Sequence, residues 1–248
     1  IRVVVIGSQP LGPLACRVTL ILAMAAMTAG NLTAFLQTNP CRLLVYSSLA
    51  QAGYLLIGPA VASSGHWPAA SGFSGAGTLL FGLPVFAAAT IGLFAALGCL
   101  RRGGNRIQHV EQLAGLAWTK GIRRRVLACS IGVFVLSLAG IGPLAGSWAR
   151  LLSLAGILST PGTGPGLRYW LTVAAAVYLV NSAIALVYYL KLVALVFFRT
   201  PLGTPQIESE SEGPLLAAVC LALVIVGVGL YPGPIADLAW GSGLPWPG

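Results

Sequence analysis

Two basic side chains lie inside long apolar stretches of the sequence. Arg150 falls in residues 126–158, seven residues after Pro143, and Lys191 lies seven residues before Phe198. Ionisable groups are costly in a bilayer, so each is a candidate for an ion or proton path. Arginine keeps its proton in proteins, so Arg150 could be a fixed charge beside a hydrated path that tunes the pKa of a neighbour, but could hardly exchange protons itself, whereas a buried lysine can titrate. Snorkelling toward the interface, or for Arg150 a salt bridge, is the alternative for both.

A second apolar stretch begins at Arg42 and carries a stripe of polar side chains. Ser47, Ser48 and Gln51 share one helical face by their spacing of three and four residues. They either hydrogen-bond to a neighbouring helix or hold water in the path. Arg42 opens the same stretch beside Cys41, and we predict that it anchors the helix at the cytoplasmic surface.

No sequence pattern of a soluble catalytic site is present. The chain lacks a P-loop, a Rossmann glycine pattern, a nucleophile elbow and an HExxH motif. Its five cysteines include no CxxC pair, and with two histidines they make no plausible zinc or iron–sulfur set. We therefore predict no catalytic residue, no bound cofactor and no metal on this chain.

The composition is that of a membrane protein. Only 8% of the 248 residues are charged, against about 25% in soluble domains, and 57% are hydrophobic. Backbone groups in lipid must be paired within a helix or a closed barrel, and the apolar stretches are continuous rather than alternating. The net charge of +9 lies mostly between apolar stretches, as in cytoplasmic loops, so we expect no nucleic-acid partner.

The chain is therefore predicted to be an all-α membrane protein with about six transmembrane helices. A crossing needs about 20 apolar residues. The spans are predicted at Leu14–Leu36, Leu43–Ala62, Thr78–Leu100, Val126–Leu158, Tyr169–Phe198 and Pro214–Leu230. The linker from Arg101 to Arg125 contains a possible amphipathic segment, Val110–Leu116, and the linker from Thr200 to Gly213 is predicted to be solvated.

The fourth span is predicted to be discontinuous. It is too long for one straight crossing and too short for two with a turn. Its middle contains Gly140, Gly142, Pro143 and Gly146, which weaken or break a helix. Irregular backbone at membrane depth is tolerated only where it is buried in protein or lines a cavity, and such helices mark ion sites in transporters.

Basic residues in the loops predict the orientation. Six crossings place nine basic residues on one side and two, Arg2 and Arg168, on the other. The nine are Arg42, Arg101, Arg102, Arg106, Lys120, Arg123, Arg124, Arg125 and Arg199. That side is predicted to be cytoplasmic, so both termini face outward.

Three blocks of the sequence resemble a known family. Residues 30–39, GNLTAFLQTN, with 42–56, RLLVYSSLAQAGYLL, look like the antiporter-like subunits of complex I, and most like subunit N of bacterial NADH:quinone oxidoreductase. Residues 137–146, SLAGIGPLAG, and 181–191, NSAIALVYYLK, are similar to two further blocks of that family, in the same order.

The resemblance implies a function that the composition alone does not indicate. It implies a non-redox subunit of the membrane arm in the bacterial cell membrane, contributing to proton translocation coupled to quinone reduction. NADH, flavin, iron–sulfur clusters and quinone are then expected on partner subunits. It also implies that residues 1–248 are one transmembrane domain matching the C-terminal half of such a subunit. The start at Ile1 rather than Met agrees with a fragment or a processed chain.

The chain departs from the family at three candidate residues. Cys41 occupies the place of a lysine, Gln51 that of a common histidine, and Arg150 that of the lysine after the broken helix. Two alternatives therefore stand beside the complex I hypothesis. The chain could belong to a cation/proton antiporter or a membrane-bound hydrogenase, or be a structural membrane subunit that has lost conduction.

Overall fold

The structure, a computed structural model, is a bundle of apolar helices. It describes residues 12–63, 75–102, 105–119, 121–159, 165–200, 207–208 and 212–233. Within them the helices are α1 (Gly12–Phe35), α2 (Pro40–Ala62), α3 (Gly75–Gly98), α4 (Ile122–Ala139), α5 (Ala145–Ser159), α6 (Pro165–Phe198) and α7 (Glu212–Leu230). The all-α membrane fold predicted from composition is confirmed.

Five of these helices are long and apolar enough to cross a membrane. They are α1, α2, α3, α6 and α7, whose qualifying segments have mean hydropathies between 1.3 and 2.5. The pair α4 and α5 covers the predicted fourth span, with an interruption at residues 140–144 that we call the helix break. Five continuous helices and one discontinuous pair agree with the prediction of about six spans. The predicted spans differ from the helices by a few residues at their ends.

The linker between α3 and α4 folds back onto the bundle. The predicted amphipathic segment forms two short 3₁₀ turns, Val110–Leu113 and Leu116–Trp118. Three two-residue strands, β1 (Arg101–Arg102), β2 (Asn105–Arg106) and β3 (Ile207–Glu208), make a small antiparallel sheet in the order β2-β1-β3. The sheet therefore joins the linker to the connector between α6 and α7. Lys120, Glu210 and most of the connector at 201–206 and 209–211 lie outside the described residues, as do Ile1 and Arg2.

Helix packing places α5 at the centre of the site. Helices α1 and α2 make the most extensive contact, and a Cβ at Gly30 or Gly53 would overlap backbone atoms of the facing helix. Small residues allow this close approach, which supplies van der Waals contact where lipid removes the hydrophobic drive. Helix α5 is contacted by α2, α3, α4, α6 and α7. The second half of the discontinuous span therefore packs against five other helices, while Leu151 and Leu158 remain exposed on its outer face.

Candidate functional site

The helix break begins with a capped helix end. Gly140 and Gly142 have φ of 77° and 74°, a left-handed conformation that favours glycine. The N–H of Gly140 donates to Ser137 O at 3.0 Å and that of Ile141 to Leu136 O at 3.0 Å. This pair of bonds is the Schellman motif, which satisfies two of the carbonyls left open at a helix C-terminus. The carbonyl of Leu138 is not capped by it.

Two side chains from different helices bind that open carbonyl. Arg150 Nη2 donates to Leu138 O at 2.6 Å, and Gln51 Nε2 donates to the same oxygen at 3.0 Å. A carbonyl oxygen has two lone pairs, so both bonds can form together. Arg150 comes from α5 and Gln51 from α2, so the end of α4 is tied to both of its neighbours.

The guanidinium of Arg150 is held from a second direction by aromatic rings. Its Cζ lies 4.7 Å from the centroid of the Tyr54 ring, a cation–π geometry. The ring of Tyr178 lies edge-on to that of Tyr54, with centroids 4.9 Å apart. Tyr178 also donates its hydroxyl to Arg150 O at 3.0 Å. Arg150 is therefore a half-buried cation with a fixed position.

A small cavity lies against this cation, and we call it the central cavity. Its volume is about 30 Å³, which is enough for one or two water molecules. Its polar lining comes from α2, α4, α5 and α6: Gln51, Tyr54, Ser137, Arg150, Ser153 and Tyr178. The rest is apolar, including Val85, Phe86 and Ala89 of α3. The helix break therefore borders a polar cavity at the depth of the spans.

A buried hydrogen-bond network extends from Tyr54 to α1 and α6. Asn31 Nδ2 donates to Tyr54 Oη at 3.0 Å and to Asn181 Oδ1 at 3.1 Å. Asn31 Oδ1 accepts from the Tyr188 hydroxyl at 3.0 Å, and Asn181 donates to Thr28 Oγ1 at 3.1 Å. Asn31 is 0% exposed, so it is a buried junction between three helices next to the cation site.

Helix α7 closes the break on its other side. The backbone of Gly229 lies so near residues 143–145 that a Cβ there would overlap them. The indole N–H of Trp148 donates to Gly229 O at 3.0 Å. Within the break, Gly146 N–H donates to Ser137 Oγ at 3.2 Å. Residues 143–145 are thus packed against α7, whereas Gly142 and Pro143 keep exposed surface.

The structure separates the candidate residues predicted from sequence. Gln51 and Arg150 meet at the central cavity, with Gly140 and Gly146 beside them. Ser47 and Ser48 instead donate to Leu44 O of their own helix, at 2.9 and 2.8 Å. Only Gln51 of the predicted polar stripe lines the cavity.

The remaining candidates lie elsewhere. Cys41 and Arg42 are exposed at the start of α2, where both backbone N–H groups donate to the Asn39 side chain. Lys191 is exposed and follows Tyr178 by 13 residues on α6, or about 20 Å along the helix axis. Because Tyr178 bonds Arg150, the two predicted cations of the spans belong to different regions.

Three residues of the site were missed by sequence reasoning. Tyr54 lies inside a block of the family resemblance but is not among the predicted site residues, and Tyr178 lies in an apolar stretch of α6 that contains no motif. Asn31 also lies inside such a block, at residues 30–39, and is not among the predicted site residues. Tyrosine at helical spacing usually packs in a core, so no sequence signal distinguishes these rings. Among the described residues no group of three His, Cys, Asp or Glu side chains could hold a metal ion.

Similar sequences point to one family. Residues 1–164 match the family model described as NADH:quinone oxidoreductase/Mrp antiporter, transmembrane. NADH-quinone oxidoreductase subunit N of Chloroflexus aggregans is 34% identical over 217 residues, covering 88% of this chain and 40% of that protein. Subunit N of Acinetobacter baumannii is 34% identical over 227 residues, with 88% and 41% covered. The chain thus spans about two fifths of the length of these relatives.

Solved structures share the fold. A chain of respiratory complex I from Thermus thermophilus with bound aureothin superposes with a TM-score of 0.69 at 29% identity, covering 89% of this chain and 44% of that one. A chain of the Mrp complex from a Dietzia species gives a TM-score of 0.72 at 22% identity, with 91% and 46% covered. At that lower identity the likeness concerns the fold alone.

Proposed function

Because the chain belongs to the NADH:quinone oxidoreductase/Mrp antiporter transmembrane family, we propose that it is a membrane-arm subunit of a proton-pumping NADH:quinone oxidoreductase. It contributes to proton translocation coupled to quinone reduction and has no catalytic site of its own. NADH, flavin, iron–sulfur clusters and quinone bind to partner subunits. The chain works in the bacterial cell membrane with both termini outward.

The observation that carries this proposal is the position of Arg150 on the wall of the central cavity. A cation at membrane depth, bonded to the open carbonyl of a broken helix and bordering space for water, is the arrangement expected beside an ion path. Gln51 supplies the second polar wall from α2. Cys41, Arg42, Ser47, Ser48 and Lys191 do not line this cavity, and we place them outside the membrane-centre part of the path.

Arg150 acts on the path as a fixed charge. A cation beside a narrow hydrated passage raises the energy of a second positive charge there, as arginine does in pores that exclude protons. Water in the central cavity therefore carries protons only when Arg150 is displaced or its charge is offset. Arg150 of α5 and Gln51 of α2 both bind Leu138 O at the end of α4. A movement of α5 relative to α4 would therefore shift the Arg150 charge at the cavity wall.

Membership in a cation/proton antiporter or a membrane-bound hydrogenase is the first alternative. The fold does not separate these assemblies, because the Mrp chain superposes as well as the complex I chain. The relatives at 34% identity are subunit N proteins, and they favour the quinone oxidoreductase.

A structural subunit is the second alternative, and one observation supports it. Arg150 and Gln51 are both used to cap Leu138 O, a task that needs no ion flow. Under this alternative the residues that replaced titratable bases now stabilise the break.

The test is proton pumping by the native complex in membrane vesicles, followed with a pH-sensitive dye while NADH oxidation is recorded. R150Q removes the barrier and should let protons leak back, so net proton uptake per assembled complex should fall several-fold, whereas R168Q, near the N-terminal end of α6, should leave it unchanged. Restoring lysine in C41K/R150K should change pumping. Unchanged pumping in both variants, with the complex assembled, would favour the structural subunit.

A further inference from the structure

A second and larger cavity lies where the linker meets the ends of α1 and α6. Its volume is about 390 Å³, and we call it the loop-side cavity. Its floor is apolar and buried, formed by Val110, Ala114 and Leu195. Its polar lining is Gln37, Thr38, His109, Glu111, Lys191, Arg199 and Thr200. None of these residues lines the central cavity.

The walls of this cavity are held in place by backbone hydrogen bonds. The N–H of Val110 donates to Thr38 O at 2.8 Å, which ties the first 3₁₀ turn to the end of α1. The N–H of Gly115 donates to Leu195 O at 2.9 Å, which ties the start of the second 3₁₀ turn to α6. The loop-side cavity is thus a built concavity rather than a gap beside a free loop.

The charges in the cavity are unbalanced and unpaired. Lys191 and Arg199 provide two cations and Glu111 one carboxylate, a net charge of +1 for these three residues. Among the residues that the structure describes, no ion pair joins either cation to Glu111, although all three line one cavity. Two cations that line one cavity without a protein partner favour an anionic ligand.

The location of the loop-side cavity indicates which anion is available to bind there. Arg199 follows the membrane-spanning segment of α6, which ends at Phe198, and Lys191 lies two turns earlier. Phe198 is 83% exposed and Trp118 is 72% exposed, and the Trp118 indole N–H donates to Phe197 O at 2.6 Å. An exposed tryptophan such as Trp118 beside basic residues is typical of the depth of lipid headgroups.

We propose that the loop-side cavity binds the phosphodiester headgroup of an anionic phospholipid of the phosphatidylglycerol type. The Lys191 ammonium and the Arg199 guanidinium bind the phosphate oxygens. Glu111 and the Thr38 hydroxyl accept hydrogen bonds from the glycerol hydroxyls of the headgroup, and the apolar floor receives its carbon atoms. The bound lipid ties the linker to α6.

Charge removal provides the first test. The purified native complex is analysed by native mass spectrometry with added dioleoylphosphatidylglycerol, using wild type, K191Q/R199Q and R124Q/R125Q. Each basic residue near the membrane surface contributes about fivefold to anionic lipid binding, so K191Q/R199Q should bind the lipid roughly 30-fold more weakly at this site. R124Q/R125Q removes the same charge outside the cavity and should retain it. Equal binding by all three, or equal loss in both variants, would overturn the proposal.

Headgroup chemistry provides a second test that does not depend on the double variant folding. Dioleoylphosphatidylmethanol has the same charge as phosphatidylglycerol but lacks the two hydroxyls. Wild type should prefer phosphatidylglycerol, and E111A should lose that preference. Displacement of the lipid by millimolar inorganic phosphate alone would assign the cavity to free phosphate and refute a lipid site. Neither test depends on proton translocation.

Discussion

Arg150 donates a hydrogen bond of 2.6 Å to the main-chain carbonyl oxygen of Leu138, across the interruption that separates α4 from α5. A side chain of the second half-helix thus satisfies the open end of the first. Gln51 of α2 donates to the same oxygen, so the carbonyl has one partner from within the discontinuous span and one from outside it.

The shared acceptor predicts that Q51L and R150M are not additive. Each single variant leaves Leu138 O with one donor and should lower the free energy of unfolding by about 1–2 kcal/mol. The double variant leaves the oxygen unpaired, so its loss should exceed the sum of the single losses by about 1–3 kcal/mol. Unfolding in mixed micelles measures the cycle. Additive losses would show that the two donors do not share this carbonyl.

Gly146 is predicted to be intolerant of a methyl group. A Cβ at this position would overlap Ser137 O, so G146A must push α5 away from α4. We expect a loss of about 1–3 kcal/mol in unfolding free energy, the usual cost of overpacking. The control is G156A in the same helix, where a Cβ meets nothing within 4 Å and alanine should stabilise by about 0.5–1 kcal/mol. A neutral G146A would mean that the halves are less closely packed than described.

A substitution at Gly142 tests the effect of backbone conformation separately from the effect of packing. A Cβ there has open space, but φ is +74°, so G142A should cost about 1–2 kcal/mol through strain alone. Asparagine tolerates the left-handed region better, and G142N should recover part of the stability. Thermal unfolding of the two variants in detergent decides the point, and equal stability of G142A and wild type would contradict a left-handed Gly142.

Asn31 is predicted to be a stabilising hub. N31L removes the donor to Tyr54 and Asn181 and the acceptor for Tyr188, leaving buried polar groups without partners. Interhelical hydrogen bonds in membranes average about 0.6 kcal/mol, so the loss of three predicts about 2 kcal/mol. T33V is the matched control, because Thr33 bonds only carbonyls of its own helix. If N31L were no worse than T33V in unfolding free energy, the network would not stabilise the bundle.

Cys41 offers a test of orientation. Its side chain is exposed beside Arg42, on the side predicted to be cytoplasmic. A membrane-impermeant maleimide should label Cys41 in inverted vesicles and spare it in right-side-out ones, with a C41S variant as the blank. Burial raises the pKa of the Cys99 thiol, so less thiolate is present near neutral pH and labelling there should be slow and rise with pH. Labelling of Cys41 only in right-side-out vesicles would reverse the predicted orientation.

Hydropathy and helix-breaking residues predicted much of this fold. Long apolar stretches gave the spans to within a few residues, and the cluster from Gly140 to Gly146 located the break. Arg150 was identified because a cation inside an apolar stretch needs an explanation. These features are local, and local features are visible in one sequence.

The meeting of Gln51 with Arg150 could not be predicted. Their common partner is a backbone carbonyl, which has the same chemistry in every residue and leaves no trace in the sequence. Ser47 satisfies its hydroxyl within its own helix, a choice that helical spacing alone does not distinguish from lining a cavity. Which faces of the helices adjoin is decided by packing over the whole bundle.

The contact between Gly229 and the break has a consequence for biogenesis. Ribosomal synthesis delivers α4 and α5 to the bilayer before α7. Until α7 is inserted, the irregular backbone lacks the contact with Gly229, and Trp148 lacks its hydrogen-bond acceptor. A nascent chain that stops before α7 leaves the peptide groups of the break without this packing, which is costly in hydrocarbon. Helix α7 therefore completes the packing of the break only after both halves of the discontinuous span have entered the membrane.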